Sequence, residues 1–522
     1  MRTLTAELLL VAVVVGILTT TAVMVFPIHD DAHTRILELD EGGDGIRANH
    51  RDRPLLGAVW GGLADAGILW PAATVLHAAA WLGMALATIG IWLRIGSGSP
   101  RYALTAACLS LGPLLCQVQF VLLNPVLGSQ VGPLLAYAVF FLRPVVNWRR
   151  RLVAAVLVVV GTLLSEYALP AMAVVCLLLI AEGWRSSVRD FRLAVVVACG
   201  LGTLALTTYG VYVLLADRAS RESVHPSQAL DLWRLKVFPF RLLSSLWRGS
   251  AGGVLERAGE VVINSFPAAL SLAVGLILAS LVFALWHRRR GEDVGRERDD
   301  APGWWLGVMF LALAFGLTPI LLMGRLPADG IDSRYWLCML PVASCLTVTL
   351  GLQLLGHRSR FLLPCFCAFL SGYAIAETAQ RGVAERYLTD KWAPEIRGHV
   401  EPGHLTLGVF HWPPNHPWEN VTGFRLTGRL IEDWSRAERD SFLAVSSEFL
   451  AVSPDWQRQF WDGQLRGVEV GGVTTVPTVD WEVRGWTRRG EIHRILWITV
   501  RENGSLKIQV WDRPENMAET TP

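Results

Sequence analysis

Apolar runs separated by short charged loops recur from residue 5 to about residue 375, and no other feature limits the possible folds as tightly. The first run, residues 5–26, is apolar apart from Glu7 and suits a hydrocarbon core about 30 Å thick. Further runs lie at about 70–93, 103–123, 131–142, 193–215, 265–286, 304–323, 335–355 and 361–375. Charged residues make up 18% of the chain, against roughly 25% in soluble domains. An ordinary water-soluble globule is therefore excluded, and the chain reads as a polytopic membrane protein. Its formal net charge of +2 points to neither a nucleic acid nor an acidic partner.

Basic residues give the runs a direction, because Lys and Arg collect in the loops that stay inside. Arg143, Arg149, Arg150 and Arg151 form one such loop, Arg185, Arg189 and Arg192 another, and His287-Arg288-Arg289-Arg290 a third. Residues 152–181 must then cross twice, at about 15 residues a crossing, which is short for a bilayer. The turn would fall at 165–170 and leave Glu166 recessed in the outer half of the membrane. The whole pattern predicts eleven crossings with the N-terminus inside. The segment after the first run and the C-terminal region would share the outer side. No small-residue cleavage site follows the first run, which is read as a retained anchor. The eight cysteines all fall in apolar segments, with none after Cys367, and no chemistry is assigned to them.

From about residue 376 the composition turns polar, with ten of the 22 tryptophans. Strand-like runs at 495–500 and 506–511 flank Asn503-Gly504, a hairpin signal. A helix is expected over 427–450. The predicted fold class is mainly α, a transmembrane helix bundle over residues 1–375 followed by a small outer α+β domain over 376–522. Trp412, Trp418, Trp434, Trp456 and Trp461 could stack on sugar rings, but such residues more often form the core of a small domain.

Asp30 and Asp31 follow the first run directly, within His29-Asp30-Asp31-Ala32-His33-Thr34-Arg35. Acids at such a depth are costly to desolvate and mark a wet face. Side by side, they can serve as a general base with an orienting or metal-binding partner; the bland alternative is a pair that only marks a helix end. Arginines further on, including Arg53, can grip phosphate in a bidentate fork. His29, His33 and His50 show no zinc-type spacing. The outer segment 216–262 mixes apolar residues with Arg234, Lys236 and Arg241. That pattern is typical of an interfacial helix, which could guide an anionic lipid or merely float in the headgroups.

Four motifs in order resemble the GT-C superfamily of polyprenyl-phosphate-sugar-dependent membrane glycosyltransferases, in its protein mannosyltransferase-like branch. They are Asp30-Asp31 after the first span, Arg53-Pro54-Leu55-Leu56 before the second, Ser165-Glu166 with Leu169-Pro170 between the middle helices, and Ser333-Arg334-Tyr335 before a late one. The resemblance covers about residues 1–375. Ser165 stands where that branch often has lysine, and no family is recognised beyond residue 376.

The resemblance implies a bacterial inner-membrane enzyme. It would move a sugar from a polyprenyl-phosphate donor to a glycan, lipid or protein acceptor outside the cytoplasm. Asp30 or Asp31 would be the base, with Asp31 favoured. Arg334 would hold the lipid phosphate, with Arg53 and Tyr335 beside the substrate and Glu166 bonded to sugar or acceptor hydroxyls. A divalent cation, Mg2+ or Mn2+, could sit at Asp30 and Asp31. Two rival classes stay open: a lipid-linked glycan polymerase or ligase, whose reactive groups would lie in a later loop, and a non-enzymatic transporter or assembly partner. Transporters place ionisable groups near the midplane and often show repeated halves, neither of which is visible here.

Overall fold

The computed structural model describes residues 30–50, 53–95, 100–111, 125–141, 148–165, 167–215, 273–280, 303–322, 339–355, 362, 364–366, 368–369, 372, 390–411, 430–431, 433–446, 468–469, 472–473, 478–483, 486–501 and 505–512. The protein is a membrane-embedded helix bundle with a small sheet. Among the described residues its helices include α1 (Asp30–Asn49), α2 (Pro54–Asp65), α3 (Leu69–Ile95), α4 (Pro100–Leu111), α5 (Pro125–Phe141), α6 (Trp148–Leu164), α7 (Ala168–Ser186), α8 (Val188–Leu215), α9 (Gly303–Leu322), α10 (Leu340–Leu355) and the short α11 (Arg436–Asp440). Among the described residues, three helices are long and apolar enough to cross a membrane: Leu69–Arg94, Ala168–Ser186 and Val188–Val211. Shorter apolar helices accompany them at Leu152–Leu164, Trp304–Gly316 and Leu340–Leu354. The first run, residues 5–26, lies outside the described residues, as does the segment 216–262.

The bundle packs through small residues, which let backbones approach where lipid offers no hydrophobic drive between helices. A Cβ on Gly83 of α3 would stand 2.8 Å from Val131 Cγ1, and one on Gly90 would stand 2.6 Å from Ala138 Cβ. Helices α3 and α5 therefore run parallel. Between α5 and α6 the contacts are Gly132 against the Leu157 carbonyl and Gly161 against that of Ser129, so that pair is antiparallel. Apolar side chains on the outer surface stay exposed, among them Val75, Val196, Leu206 and Leu214. A lipid-facing surface has this character.

At one end of the bundle Arg94 of α3 pairs with Glu182 of α7 at 2.7 Å, with its guanidinium 4.9 Å from the centre of the Tyr137 ring. Two exposed tryptophans, Trp148 and Trp184, mark the same end. Arg149 lies over the Trp148 ring at 5.8 Å and Arg185 over Trp304 at 5.4 Å. Aromatic rings with cations at one level form the girdle of a membrane–water boundary.

Two helices do occupy the stretch read as a double crossing, with the break at 165–167. They are longer than the 15 residues expected. At 17 and 19 residues they span about 25 and 28 Å. Each helix reaches past the apolar run into its basic flank, at Trp148-Arg149-Arg150-Arg151 and Gly183-Trp184-Arg185-Ser186. Glu166 itself lies outside the described residues.

The sheet is mixed. Strand β1 (Leu405–His411) lies between β2 (Phe442–Ser446) and β6 (Trp486–Val500), parallel to both. The other edge of β6 pairs antiparallel first with β5 (Thr478–Val483) and then with β7 (Leu506–Asp512). Strands β3 (Val468–Glu469) and β4 (Gly472–Val473) form a separate two-stranded ladder. The expected pairing of 495–500 with 506–511 is present, in the register Ile495↔Trp511 to Val500↔Leu506. The helix expected over 427–450 is not. Ser435 caps the five-residue α11 in a capping box with Glu438, and the chain then extends into β2. A short apolar run such as Phe442-Leu443-Ala444-Val445 fits a buried strand as well as a helix. Pairing with β1 decides for the strand.

Trp392, Trp434, Phe410, Phe442, Leu496 and Ile498 form the sheet's buried core, each fully buried side chain contributing about 1.5–3 kcal/mol. Trp392 and Trp434 thus follow the core reading of the tryptophans. Trp412, Trp418, Trp456 and Trp461 lie outside the described residues.

Candidate functional site

The segment after the first apolar run folds as a helical hairpin. Asp30 and Asp31 are the first residues of α1. The helix is broken at Gly42, whose φ of 64° and ψ of −146° belong to a region that only glycine enters without strain. In an unbroken helix the Gly43 N–H would donate to the Leu39 carbonyl. Here it donates to Asp65 Oδ1 of α2 at 3.1 Å.

The two halves of α1 enter two different cores. Ile36 and Leu37, before the break, are buried with Trp392, Ile396, Leu430, Ile431 and Trp434 in the core of the sheet. Ile46, after it, is buried with Leu56 and Trp60 of α2 and Leu69 and Ala73 of α3, and Leu164 at the end of α6 packs on the same cluster. Close glycine contacts hold the hairpin together. A Cβ on Gly61 would meet Arg47 Cγ at 2.7 Å and the Gly43 carbonyl at 2.8 Å.

Charge is organised along this hairpin. Arg47 donates to Asp65 and, at 2.6 Å, to Asp44 Oδ1; these carboxylates raise the guanidinium pKa further. Glu38 Oε2 accepts from Arg35 at 2.7 Å and from Trp70 Nε1, at the start of α3, at 2.6 Å. Asp40 accepts from Arg439 of α11, at 2.9 Å from Nη2 and 3.2 Å from Nε. Arg439 also donates to the Leu39 carbonyl at 3.3 Å and the Trp434 carbonyl at 2.7 Å. The Arg439 and Asp40 side chains are 8% and 11% exposed, so this pair is shielded from water.

The expected site residues distribute as follows. Asp30 and Asp31 stand at the start of α1. Arg53 is the half-buried residue before Pro54 at the N-cap of α2, its N–H donating to the His50 carbonyl and its carbonyl accepting from Gly57, both at 2.9 Å. Glu166, Arg334 and Tyr335 lie outside the described residues. Their flanks are described. Ser165 and Tyr167 are buried at the α6–α7 break, and Met339, just before α10, is buried in the bundle core. Deeper in α3, the buried His77 accepts a 2.9 Å hydrogen bond from Trp81 Nε1.

No group of three or more His, Cys, Asp or Glu side chains that could hold a metal ion occurs among the described residues. No chemical step is routed through a cation.

Sequence reading passed over residues 36–43, which carry Glu38, Asp40 and the Gly42 break, and also Asp65, Trp70 and Arg439. The adjacent glycines 42 and 43 inside a charged run were the available signal for the break.

No protein-family model matches the chain, and no curated protein matches it. Among solved structures it is similar to the Archaeoglobus fulgidus oligosaccharyltransferase in complex with Zn and sulfate. The match is 12% identical, covers 84% of this chain and 62% of that one, and has a TM-score of 0.33. The chain thus spans about three fifths of that structure, and no residue or activity is carried across.

Proposed function

We propose that this protein is a membrane glycosyltransferase of the GT-C type, moving a sugar from a polyprenyl-phosphate donor to a glycan, lipid or protein acceptor outside the cytoplasm. One observation carries the reading. A single buried cluster, Ile46, Leu56, Trp60, Leu69 and Ala73 with Leu164 against it, draws the second half of α1, the helix that follows Arg53 and the end of α6 before Glu166 to one end of an apolar bundle. Two of the four motifs that resemble the superfamily therefore lie beside segments that meet there, and Asp30-Asp31 begin the other half of the same helix. The girdle of Trp148, Trp184, Arg149 and Arg185 stands at the opposite end of α6 and α7. In this reading the positive-inside rule makes that end cytoplasmic, with α1 and the sheet on the outer side.

In the proposed reaction, one of the two acids accepts the proton of the acceptor hydroxyl. The hydroxyl oxygen bonds to the anomeric carbon as the bond from that carbon to the phosphate oxygen breaks. The polyprenyl phosphate leaves with that electron pair. Arg334 and Arg53 stabilise its charge by electrostatic attraction and bidentate hydrogen bonds. Tyr335 would sit beside the donor, and Glu166 would hold sugar or acceptor hydroxyls at the break between α6 and α7.

The test is transfer from labelled polyprenyl-phosphate sugars by the purified protein. Loss of one general base lowers the rate by roughly 10²–10⁴-fold, so either Asp30→Asn or Asp31→Asn should lower kcat by that factor. Arg334→Ala should raise the donor KM. Full activity in both aspartate variants would sink the mechanism.

A further inference from the structure

We propose that Arg439 is a positioning residue for the acids of α1, so that the C-terminal sheet unit acts as part of the catalytic apparatus by setting where Asp30 and Asp31 stand. This inference rests on the glycosyltransferase reading above. Its basis is the divided helix. The half of α1 that begins with Asp30 has its apolar face, Ile36 and Leu37, in the core of the sheet unit, whereas the half beyond Gly42 belongs to the bundle. Gly42 is the joint between them, and the broken backbone leaves the Leu39 carbonyl without its helical donor.

Arg439, from the far end of the sequence, supplies that donor and at the same time fixes Asp40 next to it. One guanidinium thus binds the Leu39 carbonyl and the neighbouring Asp40 carboxylate of the acid-bearing half. It is itself fixed by the Trp434 carbonyl, and Trp434 packs in the same core as Leu37. The Gly43 N–H, on the other side of the break, is taken by Asp65. The two halves are held from opposite sides, and the orientation of the first follows the sheet unit. A carboxylate base must reach the acceptor hydroxyl within hydrogen-bond distance, and an error of about 1 Å can cost 10²-fold in rate.

The experiment compares wild type, Arg439→Gln, Arg439→Lys and the exchanged pair Asp40→Arg with Arg439→Asp. It measures kcat per folded molecule, donor KM, and amide hydrogen exchange over residues 34–41. Arg439→Gln should lower kcat about 10- to 100-fold with donor KM little changed. Exchange over 34–41 should quicken while exchange in α3 and α7 stays as in wild type. The exchanged pair should stay impaired, because a carboxylate at position 439 cannot donate to the Leu39 and Trp434 carbonyls. A residue with a merely structural role would lower the folded fraction and leave kcat per folded molecule intact.

Should Arg439→Gln fail to fold, Arg439→Lys keeps the charge, lacks the fork that reaches both oxygens, and carries the same readouts. Wild-type kcat in a variant whose 34–41 segment exchanges faster overturns this inference alone. Absence of transfer by the wild type overturns the glycosyltransferase reading and this inference with it.

Discussion

In the bundle, helices meet through glycine, as at Gly83, Gly90, Gly132 and Gly161, and large apolar side chains point outward. In the sheet unit the arrangement is inverted: Trp392, Trp434, Phe410 and Phe442 fill the centre, and Arg397, Arg436 and Lys507 stand at the surface. The solvent accounts for the contrast. Within lipid, burying an apolar side chain gains little, so contact between backbones is what holds helices together. In water, removal of apolar surface is the dominant drive. Helix α1 belongs to both regimes, with Ile36 and Leu37 in the aromatic core and Gly43 pressed against Gly61 and Asp65 in the bundle.

Three experiments probe this contrast. The largest effect should come from Phe442→Ala, which empties the centre of the sheet core. Phe-to-Ala changes in cores cost about 3–5 kcal/mol. Denaturant unfolding should show the loss in the sheet unit, with the helical signal of the bundle in detergent almost unmoved. A bundle that melts along with the sheet would show that the two cores unfold as one.

Gly161→Leu should come next. Its Cβ would lie 2.8 Å from the Ser129 carbonyl and 3.2 Å from Pro133 Cδ, and overpacking of this kind costs about 1–3 kcal/mol. Thermal unfolding in detergent should locate this loss in the bundle. An unchanged melting temperature would show that α5 and α6 do not depend on close approach.

The smallest effect concerns acid. Hydrogen bonds from Arg397 and Ser435 hold the Glu438 carboxyl at about 2, below its usual 4.5. A carboxyl depressed in the folded state adds stability that is fully present above pH 4.5 and is lost as the pH falls toward 2. Acid titration of the sheet unit should therefore show a shallow loss across that window, and Glu438→Gln should remove it. The bundle's helical signal should be flat there. An identical acid profile in Glu438→Gln would assign the loss to another group.

Much of the bundle was legible in the sequence because an apolar run is a local property. The break at 165–167 fell where the basic loops on either side required a double crossing, and the β6–β7 hairpin followed from Asn503-Gly504 between two alternating runs. The errors share one physical cause. Phe442–Ser446 was read within a helix because a short apolar run carries no period of its own, and only β1 beside it makes it a strand. Residues 30–50 were read as a charged loop. Their helix has apolar positions divided between two cores, so neither half shows a full amphipathic stripe.

By itself, the sequence determined that this chain lies in a membrane, roughly where its helices run, and that Asp30 and Asp31 follow the first of the apolar runs. Those properties depend on residue polarity and on neighbours a few positions apart. Only the tertiary structure decided that α1 breaks at Gly42, that its two halves serve different cores, and that Arg439 meets Asp40 across a separation of 399 residues. Contacts over such a distance leave no periodic trace in the chain. They arise because a buried carbonyl and a buried carboxylate must find donors once water is excluded.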